Sequence, residues 1–103
     1  MCGLIGFNGK GKDVVNPAIL SLIMASNDTR GGDSSGFYDG EEFHKCIGTT
    51  GGVFQNMLES KSDLIIGHTR KSTHGKTCLE NQHPFQYGKV VGAHNGVVNN
   101  YVQ

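Results

Sequence analysis

A chain of 103 residues and 11.0 kDa has room for one small domain with one modest core. Nine Lys and Arg balance nine Asp and Glu, and the pI lies near 6.9. That balance excludes the basic field of a nucleic-acid binder. No apolar run approaches the ~20 residues needed to span a bilayer, and no charged leader precedes a long apolar stretch. A soluble, cytoplasmic protein is expected, with no membrane or nucleic-acid partner.

Residues 2–7, CGLIGF, form a strand-like run in which Leu4, Ile5 and Phe7 are candidates for burial on both faces. NGKGK at residues 8–12 is turn chemistry. Asn16-Pro17 then supplies a side-chain cap and a proline at the first helical position, where a missing N–H costs nothing. The spacing predicts a helix of about ten residues ending near residues 26–28, with Ile19, Leu20, Leu22, Ile23 and Met24 as its apolar stripe. TRGGDSSG at residues 29–36 has no apolar residue and reads as a loop. Phe37-Tyr38, Asp39-Gly40 and residues 43–47 read as a β-hairpin closed by a two-residue turn. Residues 53–58 read as a short helix after the Gly51-Gly52 break, and residues 63–67 as a buried strand. The polar stretch at residues 67–84, GHTRKSTHGKTCLENQHP, is read as lying outside the core. Residues 90–93 form a last strand candidate, and residues 97–102 an amphipathic segment with no C-cap.

Sixteen glycines stand against two prolines, without a collagen period, so the glycines belong to specific tight turns. Three cysteines, Cys2, Cys46 and Cys78, make neither a disulfide framework nor a CxxC pair. His68, His74, Cys78, His83 and His94 lack the paired spacing of a structural zinc site, so no metal is expected. His44 and Cys46 read as alternating hairpin positions, Cys78 as an incidental thiol, and His68 and His94 as histidines supporting their strand ends.

Three clusters have the residue types that acyl chemistry requires. Removal of Met1 would give Cys2 both a thiol and the chain's α-amine, which titrates near ~7.7–8.0, so one residue would supply nucleophile and base. Arg70, followed by Thr73 and His74, offers a guanidinium, a hydroxyl and an imidazole at a strand end, a set suited to a carboxylate. Asn95-Gly96, after His94, offers a side-chain amide and a peptide N–H as an oxyanion-hole pair. Each has a plain alternative: a small buried hydrophobe, a surface ion pair and a hairpin turn.

Taken together, MCGLIG at the start, RGGDSSGF at residues 30–37, GHTRKSTHGKTCLENQHPF at residues 67–85 and GAHNGVVNNY at residues 92–101 resemble the class II glutamine amidotransferase family. THG at residues 73–75 and HPF at residues 83–85 lean toward its amino-sugar-forming branch, although Lys71 and Ser72 stand where that branch carries Trp and Ala. The resemblance implies an α+β N-terminal nucleophile hydrolase fold, an αββα four-layer sandwich. Residues 1–103 would be the N-terminal portion of its glutaminase domain, without the acceptor domain or the acidic residue that binds the glutamine α-amine.

The implied chemistry is attack by Cys2 on the glutamine side-chain amide, giving a γ-glutamyl thioester and ammonia for an acceptor, without a cofactor. The resemblance assigns the oxyanion to Asn95 and Gly96 and the glutamine α-carboxylate to Arg70. Thr73 and His74 would line the same pocket, and Arg30, Gly31, Asp33, Ser34 and Gly36 would support the nucleophile. L-glutamine, an acceptor domain or partner chain, and a second copy of the chain are the expected partners. A catalytically incomplete interaction module of the same fold, or an N-terminal nucleophile amidohydrolase with another substrate, remains the alternative.

Overall fold

The computed structural model describes residues 2–71 and 79–94. The expectations for Met1, Thr73, His74, Cys78, Asn95, Gly96 and the segment at residues 97–102 lie outside the described residues.

Among the described residues six strands and two α-helices follow in chain order: β1 (Gly3–Asn8), α1 (Pro17–Ser26), β2 (Ser34–Tyr38), β3 (Phe43–Ile47), α2 (Phe54–Leu58), β4 (Leu64–Arg70), β5 (Phe85–Tyr87) and β6 (Val90–Gly92). The first four strands make one antiparallel sheet in the order β1-β4-β2-β3, and β5 pairs with β6 in a separate two-stranded sheet. The architecture is α+β, as expected. The N-terminal helix forms where its cap predicts. The Asn16 side-chain oxygen accepts from the peptide N–H groups of Ala18 at 3.0 Å and Ile19 at 3.3 Å, satisfying donors that the first turn leaves unpaired.

Pairing in register puts Gly3, Thr69 and Ser35 in one row and Ile5, Gly67 and Phe37 in the next. Because directly opposed residues share a face, this face of the sheet receives the helices. Leu20 and Met24 of α1 and Met57 of α2 close over Phe37 and Ile65, with Val15 and Val53 completing the buried cluster. Gly67 is required where Met24 passes: a Cβ there would lie 2.8 Å from the methionine sulfur and 2.6 Å from Ile5. Thr69 donates its hydroxyl to the Asn27 carbonyl at 2.9 Å, tying the end of α1 to the same end of β4.

Four expectations change. The α1 stripe is narrower than its spacing implies: Leu20 and Met24 are buried, whereas Leu22 is 72% exposed and Ile19 and Ile23 also face out. One sheet needs only one narrow line of contact from a helix. Leu4 is likewise exposed, since β1 buries its alternate residues. Residues 34–36, read as loop, are the buried start of β2, because Ser34 and Ser35 find hydrogen-bond acceptors in Gln82 and the Gly48 carbonyl. The hairpin loop runs over residues 39–42 rather than two residues. The Asp39 carboxylate accepts the Glu41 and Glu42 peptide N–H groups at 3.0 and 2.8 Å, and Gly40 takes φ +95°.

Candidate active site

On the sheet face opposite the helices, the register sets Arg70 beside Ser34, and His68 beside Leu4 and Gly36. Cys2 stands one residue before the Gly3↔Thr69 pair and Arg70 one residue after it, so the strand ends bring the two together at one corner. The Cys2 sulfur is held against the peptide of Lys71, 3.5 Å from its nitrogen and 3.8 Å from its oxygen. Arg30 donates from Nε to the Cys2 carbonyl at 3.4 Å.

The RGGD turn is built to fit this corner. Gly32 and Asp33 donate their peptide N–H groups to the Arg70 carbonyl at 3.0 and 2.9 Å. At Gly31 a Cβ would sit 2.6 Å from the Thr69 carbonyl, so no larger residue can approach β4 this closely. Asp28, at the turn's entry, is tethered by the Thr50 peptide and hydroxyl at 3.1 and 2.9 Å. An open depression of about 430 Å³ is lined by Asp28, Thr29, Arg30, Gly31 and Lys71, of which Arg30 and Lys71 contact Cys2. Arg70 itself is only 7% exposed, which removes the reading of a surface ion-pair arginine. A larger depression lined by Asp39, His44 and Ser60 lies at the other end of the sheet, past the loop between β2 and β3.

The polar stretch expected outside the core is partly interior. His68 and Gln82 are 2% and 1% exposed, and Thr69, Arg70 and Pro84 are buried as well. Gln82 gathers this part of the face. It accepts the Ser34 hydroxyl and donates to His68 Nδ1 at 3.0 Å, to the His68 carbonyl at 3.1 Å and to the His83 carbonyl. The His68 and His83 rings lie 4.5 Å apart. Burial, then the neighbouring His83 and Arg70, lowers His68 to about 4, and its Nε2 has no hydrogen-bond partner among the described residues. Burial also lowers His83, with His94, Lys45 and Arg70 adding to the effect. His83 Nδ1 accepts the peptide N–H of His94 at 3.0 Å, and the His94 residue is exposed.

Sequence reasoning chose Cys2 and Arg70, which the structure brings to one corner, and the supporting RGGD turn. Gln82 was missed, since a glutamine in a polar run has no local signal; its partners lie 14 and 48 residues away. His44 bonds the Asp39 carboxylate at 2.9 Å, and Cys46 packs against the core, both half-buried. Among the described residues no three His, Cys, Asp or Glu side chains group as around a metal ion, and no helix is long and apolar enough to cross a membrane.

Comparison with known proteins finds relatives over nearly the whole of this chain. The relatives it resembles are glutamine–fructose-6-phosphate aminotransferases. It is 33% identical to that of Methanosarcina mazei over 99% of this chain, 32% to that of Aquifex aeolicus over 100%, and 37% to that of Pyrococcus horikoshii over 98%. The chain spans only 17–18% of the length of these curated relatives. No family model and no solved structure matches it.

Proposed function

We propose that the chain is the N-terminal part of a glutaminase domain with the N-terminal nucleophile hydrolase fold, and that it acts in glutamine-dependent amide transfer. The described sheet and helices would form part of that fold's αββα sandwich, with the acceptor carried by a further domain or a partner chain, in the cytoplasm. The observation that carries the reading is the corner where Cys2, Lys71 and buried Arg70 meet.

Removal of Met1 frees the Cys2 amine. The sulfur adds to the glutamine side-chain carbonyl, the developing oxyanion is held by the Asn95 amide and the Gly96 N–H, and the carbon–nitrogen bond breaks. The amine first takes the thiol proton and then delivers it to the departing nitrogen, which leaves as ammonia. Water hydrolyses the thioester to glutamate and returns the thiol. Arg70 pairs with the α-carboxylate, which demands a free amino-acid carboxyl group, while Thr73 and His74 line the pocket.

The experiment is intact mass and peptide mapping after exposure to a glutamine analogue bearing a diazo-ketone. Loss of Met1 with a single adduct on Cys2, prevented by excess glutamine and by Arg70→Ala, is expected. Retained Met1, or labelling spread over Cys46 and Cys78, refutes the reading.

A further inference from the structure

The buried Gln82 side chain takes no part in the scheme above, yet both ends of its amide are engaged. Its oxygen accepts the Ser34 hydroxyl of β2, and its nitrogen donates to His68 Nδ1 of β4 at 3.0 Å, to the His68 carbonyl at 3.1 Å and to the His83 carbonyl. Gly36 makes room for it: a Cβ there would lie 3.2 Å from Gln82 Cγ. What Gln82 binds is determined by the ladder. On one face of a sheet, a residue's neighbours are the residue opposed to it on the next strand and the residue two positions away on its own. For Arg70 these are Ser34 across the ladder and His68 along β4, the two side chains that Gln82 joins. Carried one residue past Gly3 and Thr69, the register sets Cys2 across from Arg70 on its other side. Cys2, Arg70 and Ser34 thus stand in one row, and Gln82 lies over the next row inward, at Gly36 and His68.

We propose that Gln82 is the positioning residue of the arginine that holds the glutamine α-carboxylate: by binding Ser34 and His68 at once, it fixes the two side chains that share the sheet face with Arg70. The inference rests on the glutaminase reading, which gives Arg70 its task. The main chain of Arg70 is already held, since its carbonyl accepts the Gly32 and Asp33 peptide N–H groups. The orientation of the guanidinium is what remains to be set, and a bidentate pair with a carboxylate requires that planar fork in one orientation. Gln82 also occupies the Nδ1 lone pair of His68, which keeps a second cation from arising beside Arg70; burial acts in the same direction. Without Gln82, the buried Ser34 hydroxyl and His68 Nδ1 would each need a new partner, and Arg70 is a donor on the same face.

The test compares wild type with Gln82→Met, which fills a similar volume without the amide, and with Ser34→Ala, which removes one of the two grips. In Gln82→Met the KM for glutamine should rise about 10-fold with kcat within about twofold, because the α-carboxylate is bound equally in substrate and transition state. Ser34→Ala should show the same split at about two- to threefold. Glutaminol, in which a hydroxymethyl group replaces the α-carboxylate, gives Arg70 no charge to pair with, so its slow hydrolysis should be no slower in Gln82→Met than in wild type. Exchange of the Arg70 Nε proton, read by NMR without substrate, should be faster in both variants. Equal Arg70 exchange in wild type and both variants overturns the inference whatever the activity. Unchanged KM in the variants of an active wild type, or a loss on glutaminol as large as that on glutamine, overturns it while leaving the glutaminase reading intact. A wild type that hydrolyses no glutamine overturns both.

Discussion

Lowering the pH should unfold this protein through His68 in a way that one substitution removes. The buried ring is neutral in the folded chain and titrates at about 4 there, against 6.5 as an ordinary histidine. A depressed folded value means that the unfolded chain binds the proton first. The stability tied to neutral His68 is therefore present above pH 6.5 and is lost as pH falls toward 4. Linkage over that interval gives a loss, relative to neutral pH, of about 2 kcal/mol by pH 5 and about 3 kcal/mol by pH 4. The physical cause is that protonation places a cation beside His83 and Arg70 in a buried site and also removes the Nδ1 lone pair that Gln82 uses. The assay is urea unfolding followed by circular dichroism at intervals from pH 8 to pH 4, for wild type and for His68→Asn, whose amide can present an oxygen to Gln82 but does not titrate. Carboxylates contribute equally to both curves, so the difference isolates His68. The variant should be less stable at pH 8 and should lose less on acidification, so that the two curves converge. Parallel curves from pH 8 to pH 4 would show that His68 is not held neutral by its burial.

Asn16→Ala should cost about 1 kcal/mol in urea unfolding, because two peptide donors of α1 lose their acceptor; no loss would mean that the cap is replaced by water without penalty. Met24→Ala should cost about 2–5 kcal/mol, since the side chain is fully buried against β4; a cost below about 1 kcal/mol would refute close packing of α1 on the sheet. Gly36→Ala should cost about 1–3 kcal/mol, because the neighbour met by the new methyl is backbone at His83 rather than a flexible side chain. A thermal melt unchanged from wild type would refute the seating of that segment on β2.

The elements legible in the sequence are those whose signals are local. Asn16-Pro17 marks the start of α1 through the chemistry of the helix's own first turn, and the Phe37-Tyr38 and Phe43 runs mark a hairpin whose strands are neighbours in the chain. Strand β2 was half hidden because Ser34 and Ser35 are buried by satisfying hydroxyls rather than by excluding water from carbon. Strand β5 was hidden because Phe85, Gln86 and Tyr87 are all exposed, leaving no alternation to read. In the site, Cys2 and Arg70 could be chosen from residue type and order alone. Gln82 could not, because what makes it matter is the convergence of β2 and β4 beneath it. The Asp39 loop is longer than its sequence implies for a related reason: Asp-Gly favours a two-residue turn, but the Asp39 carboxylate closes a wider one through two peptide donors.

The sheet order has a consequence for how the molecule assembles. Strands β2 and β3 are joined by a short loop, whereas Gly3 finds its partner in Thr69, so the first strand in the chain must close a long loop before it can pair. Loop closure of that kind is slow relative to hairpin formation. The hairpin should form early, β4 should add to β2 next, and β1 should dock last onto the free edge of β4; pulse-labelled hydrogen exchange that found β1 amides protected before those of β2 would contradict this order. Docking of β1 is also the event that carries Cys2 to Lys71 and Arg70. The corner therefore comes into being in the final step of sheet closure, and a nascent or partly folded chain has a cysteine without a site.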